Sequence, residues 1–172
     1  ETKNTVSCHF IGDLLYEKPY YDWIEDDSQD KGYYDLVRPY LQNDDLSIAN
    51  LETPIGGKEL NISGTGYSFN ASREIGKQVA SLDLEVVSTA NNHANDRGNQ
   101  GIDNTLDFLK EKDILAVGTY YNQDDRDQGK YMTIHGIKFG FVSYTYATNQ
   151  IVSDENQAKV ALFNRPSDRK MT

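Results

Sequence analysis

The order of its apolar segments constrains this chain more than any other feature: between residues 45 and 118, β-branched runs alternate with amphipathic helical stretches. Residues 45 to 50 alternate as a strand. Ser72 then stands as an N-cap, and Ile75, Val79, Ala80 and Leu82 form an apolar stripe that ends at Asp83. Residues 84 to 90 read as a mostly apolar strand, residues 101 to 112 carry Ile102, Leu106 and Leu109 on one helical face, and residues 114 to 118 are strand-like again. Strand, helix, strand, helix, strand predicts parallel strands joined by helical crossovers, with the helices packed on the sheet.

The flanks are less regular. Residues 5 to 12 read as a short buried strand ended by Gly12-Asp13. Residues 16 to 34 mix six aromatics with a charged stretch and show neither period, so a loop is expected there. Residues 35 to 42 allow a short helix, bent at Pro39. Gly56-Gly57 marks a turn, and residues 130 to 134 and 137 to 145 flank His135-Gly136, the pattern of a hairpin. The expected fold class is α/β, a mixed sheet with a parallel β-α-β core and a late antiparallel hairpin, in one domain without repeats or linkers.

Charge and composition narrow the function. The 172 residues suffice for a real core. Seventeen Lys and Arg against twenty-seven Asp and Glu give a net charge of −10, which repels phosphate backbones, so nucleic acid is not an expected partner. Mean hydropathy is −0.70, and no run approaches the roughly 18 apolar residues of a membrane span. The lone Cys8 excludes an internal disulfide and any Cys-rich zinc site. The chain opens on Glu1 with no apolar leader, so an export signal or anchor is expected upstream.

Open α/β sheets bind ligands just beyond the carboxyl ends of their strands. Three strands here end in polar residues, at Gly12-Asp13, Asn50-Leu51-Glu52 and Asn91-Asn92-His93. As parallel neighbours they would bring Asp13, Glu52, Asn92 and His93 to one crest. Oxygen ligands with one imidazole suit a hard or borderline divalent metal, and Asp96 is placed to orient the histidine. The competing reading is that Asp and Asn after strands cap helices and shape turns. Three coincidences at three strand ends weigh against it.

Other features carry less. Cys8 and His9 are neighbours on a strand, point to opposite faces and cannot form a dyad, so core positions are expected. His135 fits a hairpin turn. The acidic runs at residues 25 to 30 and 124 to 127 lack the spacing of a calcium loop and read as solvated loops. Tyr16, Tyr20, Tyr21, Trp23, Tyr33 and Tyr34 are expected to cover a sheet edge, one or two of them lining a cleft.

Gly12-Asp13-Leu14-Leu15, Ala49-Asn50-Leu51-Glu52-Thr53-Pro54 and Ala90-Asn91-Asn92-His93-Ala94-Asn95-Asp96-Arg97-Gly98 resemble the three N-terminal motifs of the CapA family of bacterial capsule-synthesis proteins. That family includes a component of the poly-gamma-glutamate synthesis machinery. Gly66-Tyr67-Ser68-Phe69-Asn70-Ala71, and Gly101-Ile102 with Thr105-Leu106, extend the likeness over residues 6 to 145. The family is similar to calcineurin-like metallophosphoesterases, so the resemblance implies part of an α/β/β/α sandwich with a two-metal site. Asp13, Glu52 and Asn92 would then be ligands of a divalent ion (Mn, Fe, Zn or Ca), and His93 would steady a transition state or protonate a leaving group, with Asn50, Asn91 and Asp96 in support.

The resemblance further implies an anionic polymer or phosphoester substrate, membrane-embedded capsule synthase subunits as partners, and a place at the cell surface, anchored by a segment outside this chain. Two departures stand out. Leu15 occupies the position at which the first metallophosphoesterase motif carries a His, and the His-Gly-Glu-like and His-Pro-His-like segments of the second half are absent. The chain therefore reads as the N-terminal part of a longer protein with half the ligand set. A metal-dependent hydrolase or transferase and a non-catalytic scaffold or polymer-handling subunit both remain open; a plain carbohydrate-binding domain would rest on the tyrosines alone.

Overall fold

In the computed structural model, which describes residues 5–25 and 32–163, the chain runs β1 (Cys8–Leu14), α1 (Lys18–Glu25), α2 (Arg38–Leu41), β2 (Leu46–Leu51), β3 (Ser63–Thr65), β4 (Ser68–Asn70), α3 (Arg73–Ala80), β5 (Val86–Ser88), α4 (Gly98–Glu111), β6 (Leu115–Val117), α5 (Gln123–Asp127), β7 (Lys130–Ile134) and β8 (Ile137–Phe141). β1, β2, β5 and β6 form one parallel sheet in that order, as the strand–helix alternation requires. β3–β4 and β7–β8 are separate antiparallel hairpins. The fold is α/β as expected, with its antiparallel part standing apart from the parallel sheet.

Strand periodicity sorts the sheet into two faces. Ala49, Leu51, Val87 and Ala116 pack with Ile75 and Val79 of α3 and Ile102, Leu106 and Leu109 of α4 in one core. The opposite face, with Leu46, Ile48, Val86, Leu115 and Val117, meets Met132, Ile134, Phe139 and Phe141 of β7 and β8. The result is three layers: helices, parallel sheet, hairpin. Ser72 caps α3 as expected, accepting the Ile75 N–H. His135 and Gly136 both adopt positive φ, 49° and 80°, which turns β7 into β8 with the twist a tight hairpin needs.

Several expectations are corrected. Residues 18–25 are helical, because Tyr21 and Ile24 bury one face of α1 while Lys18 and Asp22 pair on the other; aromatics in place of aliphatics hid that stripe. The rest of the charged stretch, residues 26–31, lies outside the described residues. Pro39 does not bend α2: it sits in the first turn, where its missing N–H has no partner to lose. Residues 124–127 form α5 rather than a loop, capped by Asn122, whose side chain accepts the Asp125 N–H. Gly12-Asp13 does not end β1, which continues to Leu14. Cys8 and His9 are exposed instead of buried, because β1 is the outermost strand and the covering layers centre on its neighbours; Phe10 beside them is 76% exposed. His9 places its Nδ1 2.6 Å from Asp44.

Glu85, at the entry to β5, accepts the Ser47 N–H at 2.6 Å. Burial pushes its carboxyl above the usual carboxylate range, and the charges of Asp44 and Asp83 add to the effect against the opposing backbone hydrogen bonds. The folded state therefore favours the protonated form, and stability falls as pH rises from the ordinary glutamate pKa to the raised folded value. Glu85→Gln keeps an acceptor for Ser47 without the charge. Its Tm is expected to exceed that of the parent by about 1–3 °C at pH 7, with the gap closing near pH 4; calorimetry across pH checks this, and an equal or lower Tm at pH 7 contradicts it.

Candidate functional site at the carboxyl crest of the sheet

Parallel registration sets Asp13 beside Asn50, and Asn50 beside Ser88, in one row across three strands. A register shift in β1 makes this possible. Phe10 faces Ile48, yet Asp13 faces Asn50, so Ile11 and Gly12 together oppose Ala49. Regular pairing would have put Gly12 beside Asn50 and turned Asp13 to the helical face. The bulge re-aims the carboxylate, a common use of bulges near functional sites.

Glu52 follows Asn50 by two residues. Asn50 Nδ2 donates to Asp13 Oδ1 at 2.8 Å and to Glu52 Oε2 at 3.4 Å. The amide orientation follows from its neighbours. Asn91 Oδ1 accepts the His93 N–H at 3.0 Å, so Asn91 Nδ2 is left to donate to Leu51 O at 3.0 Å and Asn50 Oδ1 at 3.2 Å. Asn50 must then turn its own NH₂ to the carboxylates. An Asn relay thus holds two acidic side chains together.

His93 lies on the turn after β5, buried. Its Nδ1 is 2.7 Å from Asp96 Oδ2, and Asp96 also accepts the Phe69 N–H at 2.7 Å. The Asp96 side chain is fully covered, so the ion-pair geometry fixes the imidazole with its proton on Nδ1. Its Nε2 then faces the crest, 3.9 Å from Glu52 Oε1. Phe69 packs edge-on against the imidazole at 4.7 Å between centroids. Asp96 Oδ1 is buried and has no hydrogen-bond partner among the described residues. Burial pushes the Glu52 carboxyl above its usual range, with the negative charge of Asp13 adding to this and His93 opposing it.

Of the residues read from the sequence, Asp13, Asn50, Glu52, Asn91, His93 and Asp96 form one connected group. Asn92 lies on the same turn but is exposed; its carbonyl accepts the Asn149 N–H at 2.7 Å, and its side chain makes no hydrogen bond among the described residues. Two further residues belong here. Phe69 lies in a segment already singled out by resemblance. Asn149 does not: it arrives from a late loop, sets Nδ2 3.3 Å from His93 Nδ1, and has no signal in its local sequence. Asn95 ties that loop down through Gln150 O and Ile151 O.

The donor chemistry fits a hard or borderline divalent cation in kind: a carboxylate pair, one member of which is pushed above its usual range by burial and then by its partner's charge, and an imidazole nitrogen facing it. It falls short in number, since no three His, Cys, Asp or Glu side chains gather into a metal-holding group among the described residues. A separate cavity of about 730 Å³, lined by Lys110, Asp113, Tyr121 and Lys130, shares no residue with this crest. No helix among the described residues is long and apolar enough to cross a membrane.

The family described as "Bacterial capsule synthesis protein PGA_cap" matches residues 7–171. The PGA biosynthesis protein CapA of Bacillus subtilis (strain 168) is 24% identical over 147 residues, which cover 83% of this chain and 38% of that relative. The capsule biosynthesis protein CapA of Bacillus anthracis is 30% identical over 114 residues, 64% of this chain and 28% of the relative. The chain spans well under half the length of both.

Proposed function

Because the chain belongs to the bacterial capsule synthesis protein family PGA_cap, we propose that it serves the synthesis of an anionic capsule polymer, poly-gamma-glutamate, and that the crest of Asp13, Asn50, Glu52 and His93 is its working site. The observation that carries this reading is the oriented His93, its Nε2 directed at a carboxylate pair held together by Asn50. An imidazole with Nδ1 fixed on a buried carboxylate is built to take up a proton at Nε2 and return it to a leaving group. Asp96 offsets the positive charge that forms. Asn149 and Phe69 restrict the ring's rotation.

Asp13 and Glu52 are the ligands this chain would contribute to a divalent ion, with Asn92 on the adjoining turn as a further oxygen donor. When bound, the ion would offset the two negative charges and polarise an oxygen of the substrate. Electrostatics favours such an ion, since a chain of net charge −10 meets an anionic polymer or phosphoester only with a cation between them. The setting is the cell surface, beside membrane-embedded synthase subunits. A scaffold without turnover is the second reading, favoured by Leu15 at the position of a motif His and by the short ligand set.

Glu52→Gln removes a charge and keeps the shape. Calorimetric titration with Mn²⁺, Zn²⁺ and Ca²⁺ is expected to show affinity at least about tenfold below that of the parent, because ligand charge sets affinity at oxygen sites, while the unfolding midpoint does not fall. Equal affinity removes Glu52 from the ligand set.

A further inference from the structure

A second cavity, of about 500 Å³, opens beside the carboxyl end of β1. Tyr16, Tyr20, Tyr33 and Tyr34 line it, and its charged lining is Asp13 and Glu17; no Lys, Arg or His among the described residues contributes. The rings are fixed by one another. Tyr16 stacks on Tyr20 at 5.0 Å, Tyr20 meets Tyr33 edge-on at 4.8 Å, and Tyr33 meets Tyr34 edge-on at 4.9 Å. The Tyr16 and Tyr34 hydroxyls bond each other at 2.7 Å.

Each feature selects the same ligand charge. Aromatic faces carry negative potential and attract cations. Two carboxylates with no basic residue in the described lining disfavour an anionic guest. A purely apolar guest would strip water from Asp13 and Glu17 without pairing them, which is costly. We propose that this cavity is a subsite for a protonated alkylamine, its ammonium set between Asp13 and Glu17 and its aliphatic stem lying on the tyrosine rings.

The subsite shares Asp13 with the crest but is tested without metal or turnover, so its failure and that of the proposed function are separable. Trp23, the single tryptophan, has its ring 5.7 Å from both Tyr20 and Tyr33 and reports occupancy by fluorescence. The whole chain, in chelator, is titrated with Nα-acetyl-lysine methylamide and with its norleucine analogue, which has the same stem and no ammonium. Saturable binding is expected for the lysine probe, about tenfold tighter than for norleucine, with no binding of an Nα-acetyl-glutamate probe. Glu17→Gln and Tyr33→Leu, both at exposed positions and so compatible with folding, are each expected to weaken it severalfold. Equal affinity for norleucine, tighter binding of methyl glucoside, no saturation by the lysine probe, or an unchanged Kd in Glu17→Gln would each overturn the assignment.

Discussion

His93→Ala is expected to reduce polymer output about 10²- to 10⁴-fold in cells that depend on this protein, the range over which a positioned acid–base group contributes. Metal affinity of the purified variant should fall less than tenfold, because Asp13 and Glu52 remain. Loss of His93 also leaves Asp96 buried and unpaired, so a companion variant is needed. In Asp96→Asn the side-chain oxygen can still accept from both Phe69 N–H and His93 Nδ1, which share Oδ2, so the contacts stay while the charge is removed. The charge that offsets a protonated imidazole is then gone while the ring keeps its Nδ1 hydrogen bond, as ¹⁵N-detected NMR of the ring would show, and output should fall with the histidine still in place. Undiminished output in both variants would establish the scaffold reading.

The second large effect concerns stability. Phe108 of α4 is almost fully buried and meets α3 at Gly76, where an added Cβ would lie 2.7 Å from the ring. The Arg73 guanidinium and the Lys112 ammonium lie 5.0 Å and 5.9 Å from its centroid. Phe108→Ala removes the ring from a closely fitted helix pair and is expected to cost about 3–5 kcal/mol of unfolding free energy, read from urea denaturation. Gly76→Ala should cost about 1–3 kcal/mol by overpacking. Adding it to Phe108→Ala should cost less than it does alone, since the space has opened. Strict additivity would contradict the contact.

The helices on which that prediction rests were legible because their apolar residues recur at helical spacing: Ile75 with Val79, and Ile102 with Leu106 and Leu109. α1 was not, since Tyr20, Tyr21 and Trp23 serve as core and surface alike and blur the period. The exposure of Cys8 was equally hidden. A β-branched, aromatic run reads the same at the centre of a sheet and at its edge, and strand order is set by contacts far apart in sequence. Asn149 shows the same limit at the site, 56 residues from the histidine it touches.

What the sequence determined by itself is the parallel α/β core and the polar strand ends, because alternation, capping and turn chemistry are local properties. Tertiary structure alone decided which way those ends point. The bulge of Ile11 and Gly12 against Ala49 rotates Asp13 onto the face of Asn50, and the Asn91 amide, fixed by Leu51 O and the His93 N–H, turns the Asn50 amide toward both carboxylates. A one-residue change of register reverses the face of every side chain beyond it, and an amide takes its orientation from its partners. Neither is written in any single segment, because each arises only when strands distant in sequence lie side by side.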